Sequence, residues 1–62
     1  MHFEVIKVPR ASAEPQWDWK LINDSGATAA YGEGYRSKLD CEHAIVAVKA
    51  LEMDTPINYV EE

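Results

Sequence analysis

The side chains of this sequence equipped for chemistry are few: Cys41, the histidines His2 and His43, and a surplus of carboxylates. A thiol and an imidazole activate one another only when they face each other. Cys41 and His43 are two residues apart in a stretch that reads as helix, which turns them about 200° away from one another. Cys41 is expected to pack as a small hydrophobe. If it were exposed near a helix start, its thiol would be acidified. His43 falls on the polar side and is expected to be solvated. Paired carboxylates do acid–base work only when held in a cleft, and 62 residues offer little scaffold for one inside a single chain.

Cofactor signatures are incomplete. One cysteine excludes an intrachain disulfide, and one cysteine with two scattered histidines does not make a closed tetrahedral zinc site. Gly32-Glu33-Gly34 begins like a dinucleotide loop, but the third glycine is replaced by Ser37, and no Gly-Lys-Ser/Thr ending follows. No catalytic residue, cofactor or metal is therefore assigned. The one ligand site with a physical motive is Gly34, Arg36, Ser37 and Lys38, where backbone donors at a helix start and two cations would receive a small anion.

The elements that must position these residues are legible. Residues 2–8, HFEVIKV, read as a strand rich in β-branched and aromatic side chains. Phe3 and Val5 share one face and Ile6 and Val8 the other, so either a bulge shifts the register or both faces are partly covered. Pro9 ends the strand, and residues 10–16 form a polar connection. Residues 17–22 alternate, with Trp17, Trp19 and Leu21 on one face. The two rings are expected to pack under a helix; the rival reading has one ring lining a groove and stacking on a ligand. Asn23-Asp24-Ser25-Gly26 is a turn, residues 27–31 return antiparallel, and the glycines at 32 and 34 break the strand at a corner. Ser37 is a helix N-cap with Asp40 three residues on. The helix spans about 38–51, with Cys41, Ala44, Ile45, Val48 and Leu51 as its covering face and Leu39, Val46 and Met53 along its back. Residues 54–56 form a break, and residues 57–60, INYV, read as a final strand.

The predicted architecture is a single α+β domain over residues 1–62. It is a two-layer β(3)-α-β unit, an antiparallel sheet with one covering helix. A domain of this length buries only about 60% of its unfolded surface. With neither disulfide nor metal available, oligomerisation is the economical remedy. A formal charge of −5 favours solubility and counts against nucleic acid and anionic membrane surfaces as partners. It is also compatible with a salty, halophilic cytoplasm. The sequence has no signal-peptide core and no membrane span, so a soluble, cytoplasmic protein is expected.

The run WDWKLINDSGATAAYGEGYRSK resembles the DUF1508 family, the YegP-like or UPF0339 proteins. The resemblance rests on Trp17, Trp19 and Leu21, then Asn23 and Gly26, then Gly32, Gly34, Tyr35, Ser37 and Lys38, and in the helix on Ala44, Ile45, Val48 and Lys49. It extends from His2 to Val60. Asp18 stands where the family usually carries Arg or Lys, and Asp24 and Ser25 lengthen a compact Asn-Gly turn. The resemblance implies β(3)-α-β units that occur as tandem repeats or homodimers, build one continuous sheet and exchange their C-terminal strands. It implies no catalytic residues. The expected function is a small non-catalytic homodimeric binding or structural module, with Trp17, Trp19, Ile57 and Tyr59 in its core and dimer contacts. The alternative is an enzyme or small-anion sensor whose composite site forms between subunits.

Overall fold

In the computed structural model, residues 1–51 and 53–60 are described. Three strands and one helix follow in order: β1 (His2–Val8), β2 (Gln16–Ile22), β3 (Thr28–Tyr35) and α1 (Lys38–Lys49). The strands form an antiparallel meander, β1-β2-β3, and α1 packs against all three. The β(3)-α portion of the predicted unit is thus present in one chain.

β1 and β2 pair without interruption from His2↔Ile22 to Val8↔Gln16. Of the two readings of β1, the continuous register selects the second: Ile6 and Val8 lie on the face away from Phe3 and are partly covered there. The register shifts fall instead between β2 and β3, at Trp17/Trp19 and Leu21/Ile22. β3 carries the extra residue at each shift. Glu33 and Gly34 together oppose Asp18, and Ala29 is the surplus residue in the other.

β3 runs through the glycines to Tyr35 rather than ending at Tyr31. The reason is the bulge. Gly34 takes a φ of +86°, and its amide donates to Asp18 Oδ1 at 3.1 Å, so the ladder kinks and resumes at Trp17↔Tyr35. What reads as a strand break is a kinked continuation.

The β2–β3 turn is built on Asn23. Its Oδ1 accepts from Ser25 N at 3.0 Å, Ser25 Oγ at 2.7 Å and Ala27 N at 3.1 Å. Gly26 closes the turn at φ +88°. α1 starts at Ser37, whose Oγ accepts from Asp40 N at 3.1 Å. It ends at Lys49, with Leu51 N donating to Val48 O at 3.2 Å in a tightened last turn. Leu51 therefore lies past the helix and is exposed, not on the covering face.

The core lies between the helix and one face of the sheet. Trp19, Cys41 and Ile45 are buried, with Phe3, Trp17, Leu21, Ala30, Tyr35, Ala44 and Val48 packed around them. Phe3 and Trp19 meet at 5.9 Å between ring centroids, tilted by 60°. Leu39 and Val46, on the helix back, are exposed. Residues 57–60 form no strand within the chain, and Ile57, Tyr59 and Val60 are 76%, 89% and 84% exposed. No helix of the described residues is long and apolar enough to cross a membrane.

Candidate functional site

The residues singled out for chemistry are held apart. Cys41 is wholly buried under α1, while His43 is exposed. Burial pushes the Cys41 thiol above its ordinary value, and the negative charges of Asp18 and Glu42 push it further in the same direction. The thiol therefore packs as a small hydrophobe and is not acidified. His2 Nε2 lies 3.1 Å from Glu4 Oε2 on exposed β1. Among the described residues, no group of three His, Cys, Asp or Glu is placed to hold a metal ion.

The tryptophans divide their tasks. Trp19 is 6% exposed and donates Nε1 to Tyr35 Oη at 3.4 Å. Trp17 is half-buried at the core margin, with Lys7 Nζ 5.9 Å from its ring centroid. Ile57 and Tyr59 lie outside the core of the single chain.

The four residues of the expected anion site do not share one pocket. The Gly34 amide is already bonded to Asp18, and the Ser37 hydroxyl is committed to the helix cap. Gly34 and Arg36 line a cavity of about 340 Å³ that neither Ser37 nor Lys38 lines. The β1–β2 loop contributes Arg10 and Glu14 to the same lining, the first residue of β2 contributes Gln16, and the end of β3 contributes Tyr35.

The sheet register explains this meeting. Val8↔Gln16 and Trp17↔Tyr35 bring the end of β1, the start of β2 and the end of β3 to one edge. Arg10 and Arg36, far apart in sequence, therefore leave the sheet at the same end. Asp18 ties the wall together: its Oδ1 accepts from Gln16 Nε2 at 3.2 Å as well as from Gly34 N. Reading residues 10–16 only as a connection overlooks Arg10 and Gln16. The signal that finds them is the hairpin register, which aligns Val8 with Gln16.

Sixty residues of this chain, 97% of it, align at 35% identity with the full length of the UPF0339 proteins of Neisseria meningitidis serogroup B and serogroup A. The chain belongs to the UPF0339 family. No protein-family model matches it. In this member of the UPF0339 family, Asp18 is spent inside the fold, on the bulge of β3 and on Gln16.

Proposed function

We propose that this UPF0339 protein works as a small non-catalytic homodimeric module, a binding or structural unit in the cytoplasm, completed when residues 57–60 pair with a second copy. The observation that carries this reading is the unpartnered apolar segment after the helix. Ile57, Tyr59 and Val60 alternate with Asn58 in a β-favouring run, yet stand in solvent. An isolated strand of four residues has nothing to hold it, whereas an open sheet edge supplies a full row of donors and acceptors. The surface area supports the same reading. The chain exposes 5354 Å², against about 4,000 Å² for a compact monomer of its mass. The excess, roughly 1,300 Å² by that scaling, is more than the roughly 800 Å² that one partner contributes to a standard interface.

The non-catalytic part of the reading draws support from placement. The Cys41 thiol is buried with its pKa raised, so the protonated form is favoured, while His43 is exposed. A symmetric exchange of residues 57–60 closes on itself as a C₂ dimer. The test is the dependence of thermal unfolding on protein concentration. A dimer that folds as it assembles melts higher as concentration rises. A midpoint independent of concentration, with a monomeric mass throughout, would remove the proposal.

A further inference from the structure

We propose that the cavity between the β1–β2 loop and the β3–α1 corner binds a small organic carboxylate, its charged head held by Arg10 and Arg36 and its apolar body against the wall around Tyr35. The first observation is electrostatic. Among the described residues, no lysine or arginine side chain has an ion-pair or hydrogen-bond partner, so what sets Arg10 and Arg36 apart is their placement. Both line the same cavity. A guanidinium presents a planar fork of donors that matches a carboxylate edge on, and two of them flanking one space reinforce each other's attraction for an anion.

The second observation is the remaining wall. Among the described lining residues Glu14 is the one carboxylate, and the Asp18 carboxylate behind the wall is committed to Gln16 and Gly34, so the two guanidiniums suit a monoanion better than a multiply charged one. Ala13, Pro15 and Tyr35 contribute apolar surface, which a bare inorganic ion would leave uncovered. A volume of about 340 Å³ lies at the small end of the range for ligand pockets, roughly 300–1,000 Å³. The third is rigidity. Tyr35 is anchored by Trp19 Nε1, and Gln16 and Gly34 are both fixed by Asp18, so the wall is preset and the ordering left to a ligand is that of the two arginine side chains. The site lies within one chain and is separate from the dimer reading, which the concentration dependence tests on its own.

The experiment is a titration of the full chain with benzoate, followed by backbone amide shifts, alongside benzamide and inorganic phosphate. Benzoate at millimolar concentration is expected to produce saturable shifts confined to Gln16, Gly34, Tyr35 and Arg36. Arg10→Gln and Arg36→Gln, both at exposed positions, are each expected to weaken benzoate by about tenfold, the loss of one charge-assisted contact. Lys38→Gln, outside the cavity, should leave it unchanged. Benzamide binding as tightly as benzoate would overturn the role of the two arginines, and phosphate binding as tightly would overturn the organic body. Absence of localised shifts with benzoate, while the spectrum remains that of the folded protein, would overturn the proposal outright.

Discussion

Gly32 is glycine because of Trp19. A Cβ at that position would lie 2.7 Å from Trp19 Cε2 and still closer to Nε1, inside contact distance of a ring that is itself the centre of the core. Gly34, two residues on, is glycine for a different reason: its φ is +86°, and a Cβ there would meet nothing. Gly32→Ala is therefore expected to cost about 1–3 kcal/mol through overpacking, with a changed Trp19 environment visible in fluorescence. Gly34→Ala should cost about 1 kcal/mol through backbone strain alone and leave the emission unchanged. Equal costs and equal spectra in urea titrations would contradict the distinction. Cys41 makes a second prediction at this scale. Its folded pKa is raised, so its protonated form is the one the fold keeps. Its contribution to stability is intact below the unfolded value and declines as pH rises past that value toward the folded one. Between about pH 7.5 and about pH 9.5, the urea midpoint should fall more in the parent than in Cys41→Ala, at matched protein concentration.

Local chemistry that names its own partner is readable in sequence, and chemistry that depends on register is not. Ser37 announces the start of α1, and the structure places its hydroxyl on Asp40 N; Ser37→Ala is expected to cost about 1 kcal/mol in chemical denaturation. Asn23 and Gly26 likewise announce their turn. The face of β2 follows from simple alternation, because Trp17, Trp19 and Leu21 are spaced by two. By contrast, the bulge at Glu33 and Gly34 needs Asp18, sixteen residues away from Gly34, to accept the amide that makes it. Two glycines in a row of three positions look like a corner until that partner is known. The end of α1 was similarly hidden, since apolar spacing continues to Leu51 while the helical bonds stop at Lys49. Arg10 was lost among loop residues for the same reason: only the hairpin register carries it to the side of Arg36.

At the scale of the whole molecule, the unit has too little interior for its surface. Among the described residues, three buried side chains form the centre of the core, and the Cα radius of gyration is 13.8 Å, against about 11 Å for a compact domain of this length. The apolar residues that a larger core would take are present but exposed: Leu39 and Val46 on the helix back, and Ile57, Tyr59 and Val60 beyond it. In the proposed dimer, a second copy receiving residues 57–60 would bring the last three of these under cover and would close a sheet edge at the same time. The most direct test compares the full chain with a chain truncated after Asp54, by sedimentation equilibrium and circular dichroism. The full chain should sediment at twice 7.0 kDa, and the truncated one should lose both the dimer and the fold. A truncated chain that remained folded, whether as a monomer or as a dimer, would contradict the claim that exchange of residues 57–60 completes this protein.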